Sequence, residues 1–465
     1  MPLSRRYLYI CLSLLAASSL SAHSAETTPE AIETTGAIAV PTAAPEVTPS
    51  RPLTLALLMP TDSSNILSAM HIVQNGLAAA SRMSTHPANV LLISAQDGVT
   101  VESQLQAAAL SGADVAIGPL DRNTVEKLTA SESLPLPTLA LNAVTCPKKG
   151  CPEGLGMLAI SAEHEAEWVA HLAAQELAAR VPATNEPSTK AVILVGTSNQ
   201  DSRIGQAYAR TLATAGIDFD IVSVKPEALE EITKQLEPKL SVEDEATFKQ
   251  RATKLLAEAQ SDDARSRIRK NLASERRAQV VTSAPPYQAA FLALSAQEAS
   301  FIRSRLPMRM RLWATFATNP GDPQTSSTAA TLTYDLNRLI FTDCPLLVKY
   351  GKEDFEAYFG IDMPYSPNAK RLFALGFDAF EAASRWATLT PSFSFSGETG
   401  TISFDSVSGP LLSRTPQTVY IRNGELLPVS TTAVFQNDPT QESEIVAPTT
   451  TENATPAEVI PVNTL

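Results

Sequence analysis

The sequence predicts an α/β fold in two lobes, each a parallel sheet flanked by helices. Three observations predict it. Short, uniformly apolar runs alternate with helical stretches, the alternation restarts near residue 163, and the chain is too long for one core. Strands that are apolar throughout fit a parallel sheet covered on both faces. About 440 residues beyond the N-terminal segment exceed a single ordinary core.

Residues 53–59 (LTLALLM) form the first apolar run and stop at Pro60-Thr61-Asp62, a turn signal. Ile66, Met70, Val73 and Leu77 then recur at helical spacing across 65–83. The rhythm continues as strand 89–93, helix 102–110, strand 115–117 ending at Gly118-Pro119, helix 123–128 and strand 137–141. A second series opens with a helix at 163–179, carrying Trp168 and Leu172 on one side. It continues as strand 190–195 (KAVILV), loop 196–200, helix 204–215 and strand 219–224. Residues 279–282 (QVVT) read as a strand, 287–301 as a helix and 312–315 as a strand. The first lobe is expected over 52–145 plus part of 310–390, the second over 146–310 plus 391–433.

Residues 225–277 break the rhythm, being charged, helix-favouring and free of strand pattern. They read either as a solvated helical pair or as a protruding element that touches a partner. Residues 372–386 form an amphipathic helix. A strand follows at 397–404, with Gly397 and Gly400 at turn positions that other residues resist. Residues 418–422 are expected to pair with it.

The ends of the chain read differently. Arg5 and Arg6 precede an apolar stretch at 7–17, and Ala22 and Ser24 suit a signal-peptidase site. The stretch is shorter than the ~20 residues of a permanent span. Residues 1–25 are therefore expected to be a cleaved signal peptide, with an uncleaved anchor as the alternative. Cys11 follows Tyr9-Ile10 near the start of the apolar run, so no lipobox is visible. Residues 26–51 and 434–465 are rich in Thr, Pro, Ala and Glu, a composition expected to form a disordered linker and tail. The expected location is the periplasm, with association at the outer membrane as the alternative.

Thirty-six basic residues face 49 acidic ones, a net charge of −13. That balance argues against nucleic acid or anionic lipid as the main partner. Cys146 and Cys151 flank Pro147-Lys148-Lys149-Gly150 and are expected to form a disulfide in an oxidising compartment. A metal pair would need two further ligands, and no His or Cys cluster supplies them. Cys344 is then unpaired and reads as a small buried apolar residue.

No catalytic motif is present: no HExxH, no P-loop and no G-x-S-x-G. His164 and His171 share a helix face, but two turns separate them by ~10 Å, too far for one metal. No cofactor or metal is expected. The most site-like segment is Gly118-Pro119-Leu120-Asp121-Arg122-Asn123, at the carboxyl end of a strand and the start of a helix. Open α/β sheets bind ligands there, and helix N-terminal amides attract anions. Thr61, Asp62 and Asn142 are expected beside Gly118, Asp121 and Arg122 in one cleft, faced by Thr197 and Ser198 of the second lobe. The same residue types also serve as helix caps and turns.

Several segments carry a family resemblance. Residues 115–125 (VAIGPLDRNTV) and 136–142 (LPTLALN) resemble the "GPLLKxNVexL…PvLALN" pattern of the LppC/LpoA family. Residues 312–315 (LWAT) look like its "vYATS", and 334–347 (YDLNRLIFTDCPLL) like its "DLnGvxFxDxPWll". Residues 372–379 (LFALGFDA) are similar to "RLyAlGiDAy", and 397–404 with 421–424 to "GxTGxLsxd…FxnG". The segments span most of 52–428 in the family's order. Type I solute-binding receptors cross back between their lobes at a segment like 397–404. The resemblance implies a type I periplasmic-binding-protein-like fold and a non-enzymatic activator of a class A penicillin-binding protein in peptidoglycan synthesis. Peptidoglycan or a small ligand is a further partner to consider. The chain departs from the family in lacking a lipobox and in having a short linker where relatives carry a helical-repeat domain. Leu346 stands where Trp is usual and Cys344 where Met is frequent. The alternative implied by the same fold is a solute-binding receptor of an ABC transporter for an amino acid or similar ligand. Leu120, Asp121 and Arg122 replace the hydroxyl residues that such receptors place after the Gly-Pro turn.

Overall fold

The computed structural model describes residues 51–61, 64–85, 88–179, 190–225, 229–236, 245–282, 287–307, 310–388 and 392–429. The expected leader, tail and Asp62 lie outside them, as does the linker up to residue 50.

The first lobe opens with β1 (Leu53–Met59), α1 (Leu67–Met83), β2 (Ala88–Ser94), α2 (Val101–Leu110), β3 (Val115–Ile117), α3 (Arg122–Ala130), β4 (Thr138–Ala140) and β5 (Leu155–Met157). Its sheet has the order β2-β1-β3-β4-β5, parallel throughout. β1 lies inside the sheet with both its faces covered, and Leu55, Ala56 and Leu57 are fully buried. Burying each such leucine contributes about 2 kcal/mol of transfer free energy. Gln104 of α2 lies at the sheet's carboxyl end. Its amide nitrogen donates to Met59 O at 2.9 Å and Ile93 O at 3.0 Å, satisfying carbonyls at or near the ends of two strands.

The second lobe continues with α4 (Ala162–Ala179), β6 (Lys190–Val195), α5 (Asn199–Thr214), β7 (Asp218–Ser223), α6 (Leu229–Leu236), α7 (Glu245–Glu258), α8 (Asp262–Thr282), β8 (Ala289–Ala293), α9 (Ala296–Arg303), β9 (Arg311–Ala314), α10 (Ser327–Asp335) and β10 (Leu339–Asp343). The chain then returns to the first lobe as α11 (Leu346–Lys349), α12 (Lys352–Phe359), α13 (Pro367–Thr388), β11 (Ser392–Ser396), β12 (Thr401–Asp405) and β13 (Ser413–Thr415). It ends in the second lobe as β14 (Gln417–Arg422) and β15 (Glu425–Val429). The second sheet has the order β15-β14-β10-β9-β8-β6-β7. β14 and β15 are its antiparallel members, and Pro428 of the edge strand β15 lies opposite Val419.

Two glycines set the packing of the returning helix. A Cβ on Gly76 of α1 would lie 2.0 Å from Phe373 O, and one on Gly376 of α13 would lie 2.0 Å from Val73 O. The two backbones touch because neither position carries a side chain, and α13 is thereby fixed on the first lobe.

The structure corrects three expectations. The QVVT segment is the end of α8, and the neighbouring strand is the Ala-rich β8, buried between β6 and β9. Central position in the sheet overrides the weak strand propensity of alanine. β14 pairs with β10 and β15, whereas β12 pairs with β11 and β13. Lobe membership also divides differently. β5 completes the first sheet, β9 and β10 belong to the second, and Ile402, Phe404 and Leu412 pack into the first lobe's core. Pairing joins partners far apart in sequence, which local pattern does not reveal.

Candidate functional site

Strand order reverses at β1 in the first sheet, and the loops after β1, β2 and β3 surround a cavity of 570 Å³. Open α/β sheets hold ligands at this position. Thr61, Glu102, Leu120, Asp121 and Lys127 are among its lining residues, and all the lining comes from the first lobe.

The predicted residues divide into several groups. Thr61 and Asp121 line the cavity. Asp121 caps α3, its carboxylate accepting from the N–H and hydroxyl of Thr124, each at 2.8 Å. Gly118 has φ of 107° and leads by a cis bond into Pro119, whose neighbour Leu120 also faces the cavity. Asn142 braces that turn from just beyond β4: its amide donates to Leu120 O at 3.1 Å, and its oxygen accepts from Ala143 N–H at 2.9 Å. Arg122 is exposed and pairs with Glu126 one turn on, at 3.3 Å. In the second lobe Ser198 accepts from Asp201 N–H at 3.1 Å and donates its own N–H back at 3.0 Å, a reciprocal cap on α5. Thr197 beside it is exposed. Neither residue lines the cavity. Asp121 Oδ2 and the Ser198 hydroxyl thus serve helix starts.

Among the described residues no group of three His, Cys, Asp or Glu side chains is placed to hold a metal. His164 and His171 are exposed, and His171 shares a hydrogen bond with Gln175 at 3.0 Å. Cys146 and Cys151 are joined by a disulfide. Cys344 is free and buried, and burial pushes its thiol pKa well up, the wrong direction for a nucleophile.

A buried polar network lies where the chain crosses between lobes. Crossings occur before α4, between β10 and α11, and between β13 and β14. Glu165 of α4 accepts from Arg414 of β13 and from the Thr342 hydroxyl of β10, the latter at 2.7 Å. Arg414 also donates to Thr399 O at 2.7 Å. Thr399 donates its N–H and hydroxyl to Asp378 of α13, at 2.7 and 2.6 Å. Seven residues earlier on α13, Arg371 grips Asp343 of β10 with two hydrogen bonds, 2.8 and 2.6 Å. Asn319 donates to the same carboxylate at 2.6 Å. Glu165, Asp343, Asp378 and Thr399 are fully buried.

Sequence reasoning did not single out this network. Thr342, Asp343, Asp378 and Thr399 do fall inside three of the segments that carry the family resemblance. Glu165 carried a signal of its own, a carboxylate on the otherwise apolar face of Ala162, Ala166, Val169 and Ala173.

The fold is shared with solved structures. A "putative branched-chain amino acid ABC transporter" from Chromobacterium violaceum aligns over 79% of this chain and 99% of its own, with 21% identity and a TM-score of 0.56. The C-domain of LpoA from Haemophilus influenzae, a regulator of PBP1A, aligns over 81% and 100%, with 18% identity and a TM-score of 0.53. Full-length LpoA from the same organism aligns over 82% of this chain at 18% identity and a TM-score of 0.54, and this chain spans 59% of it. No curated protein matches the sequence. Residues 24–408 match the family described as "LppC putative lipoprotein". With that match covering most of the two-lobed domain, the chain belongs to the LppC family.

Proposed function

We propose that the chain is a non-enzymatic periplasmic regulator that binds and activates a class A penicillin-binding protein in peptidoglycan synthesis. The LppC family match over residues 24–408 carries this reading. The fold shared with a regulator of PBP1A supports it. The cavity is compatible with it, since the Asp121 carboxylate in its lining caps α3. Among the described residues no helix is long and apolar enough to cross a membrane. The α7–α8 pair suits a contact element. It holds itself together through buried Phe248 and Leu272, with Arg251 and Arg276 over the Phe248 ring at 5.3 and 5.6 Å. Arg267, Arg269, Lys270 and Arg277 are among the basic residues that α8 carries.

The test adds the purified chain to the class A synthase of the same organism and follows glycan polymerisation and transpeptidation on lipid-linked substrate. A saturable rise in rate is expected. Absence of both binding and rate change overturns the reading for that synthase. The second reading, a solute receptor of an ABC transporter, rests on the fold shared with the Chromobacterium violaceum protein. It predicts saturable binding of an amino acid or similar ligand by calorimetry.

A further inference from the structure

We infer that the joint between the two lobes is locked by a closed ring of buried hydrogen bonds, so that the domain works as one rigid body and does not open and close. The ring starts and ends on α13. Arg371 holds Asp343; the adjacent Thr342 holds Glu165; Glu165 holds Arg414; Arg414 holds Thr399; and Thr399 holds Asp378, two turns along α13 from Arg371. The path touches elements at all three crossings. Glu165 lies in the first turn of α4, Asp343 ends β10 beside the second crossing, and Arg414 stands two residues before Pro416 at the third.

Two of these contacts are ion pairs between lobes. Arg414 belongs to β13, which pairs with β12 against the first lobe's core, while α4 packs on the second sheet. Arg371 belongs to α13 of the first lobe, and Asp343 and Phe316 to the second. The Arg371 guanidinium also lies 4.5 Å from the centre of the Phe316 ring and donates to Phe316 O at 3.4 Å. Side-chain exposures are 6% and 1% for Arg414 and Glu165, and 8% and 0% for Arg371 and Asp343. Hinged receptors open by turning a few residues at the ends of elements. Opening here would break both desolvated ion pairs, leaving charges in a low-dielectric joint with partners withdrawn. An incomplete opening is the costliest arrangement, because the charges separate before water can reach them.

Cys344 reports on the ring directly. It occupies the second crossing, is fully buried, and donates its N–H to Asp343 at 2.7 Å. Arg414, Asp343, Glu165 and Arg371 all act electrostatically on its thiol. The experiment uses the full chain with Cys11→Ser, leaving Cys344 as the one free thiol, and follows its reaction with a small aromatic disulfide under native conditions. Global unfolding is followed in parallel by circular dichroism. The lock predicts labelling no faster than global unfolding. Arg414→Met should speed labelling at least tenfold relative to that chain's own unfolding, and Thr342→Val severalfold. Native labelling a hundredfold faster than unfolding overturns the proposal, as does a Thr342→Val chain that labels at the parental rate. A second measurement needs no hinge substitution. Spin labels at Asn123→Cys and Asn199→Cys, both exposed and one in each lobe, should give a single narrow distance distribution, and two populations overturn the lock.

Discussion

Glu176 of α4 and Arg311 of β9 form an ion pair sealed inside the second lobe, 2.9 Å apart, with side-chain exposures of 6% and 8%. It ties the helix that enters the lobe to a strand 135 residues further on. Removing one partner strands a buried charge, which costs about 3–5 kcal/mol. Glu176→Ala should therefore lose about that much in urea unfolding. The double variant Glu176→Met with Arg311→Met should recover most of it. A double variant no more stable than Glu176→Ala would show that packing, and not charge, is the issue.

The contact of α1 with α13 makes Gly376 a sensitive position. A methyl group there meets Val73 O at 2.0 Å, a backbone atom that cannot swing aside. Gly376→Ala should cost about 3 kcal/mol by forcing the helices apart. Gly112→Ala offers a control, since nothing lies within 4 Å of that Cβ. Its smaller loss would come from a φ of +80° alone. Thermal or urea unfolding of both separates the two causes.

Asp378 gives stability a pH dependence. Burial pushes its carboxyl pKa up to about 7, and the negative Glu398 adds to the rise, against the lowering by hydrogen bonds from Thr399 and Glu398. Unfolded aspartate titrates at about 4. Between those values the folded chain keeps a proton that the unfolded chain has lost. Stability from this group is full below pH ~4 and falls as pH rises to ~7, by up to about 1.4 kcal/mol per pH unit. Comparing unfolding of the parent and Asp378→Asn from pH 4 to 8 isolates it. Asp378→Asn should flatten this component while lowering stability throughout, because an amide cannot accept from all three donors.

The Cys146–Cys151 bond closes a small loop packed beside Val125, Val144 and Leu155. Loop-closure entropy for a ring of this size predicts about 2 kcal/mol. Replacing both cysteines with serine should lower the midpoint of thermal unfolding accordingly, with the rest of the fold unchanged by circular dichroism.

Much of the alternating pattern was legible because β1 and β6 are buried on both faces and so read as unbroken apolar runs. β8 was not, since Ala289–Ala293 resembles a helix until β6 and β9 bury it, and the β-branched end of α8 drew the strand assignment instead. The loops at Pro60-Thr61 and Gly118-Pro119 were legible as strand ends. Their neighbours' roles were not, because Asp121 and Ser198 look alike as caps and as ligand groups until their hydrogen bonds are seen. Glu165 and Arg414 are 249 residues apart, and no local spacing links them.

Pro428 has a consequence at the far side of the second lobe. An outermost strand normally offers a row of amide hydrogens on which another chain can build. The imino ring of Pro428 removes one hydrogen from that row, in a strand of five residues. Growth of the sheet by addition of a foreign strand is disfavoured there, so this margin of the second lobe resists edge-to-edge association.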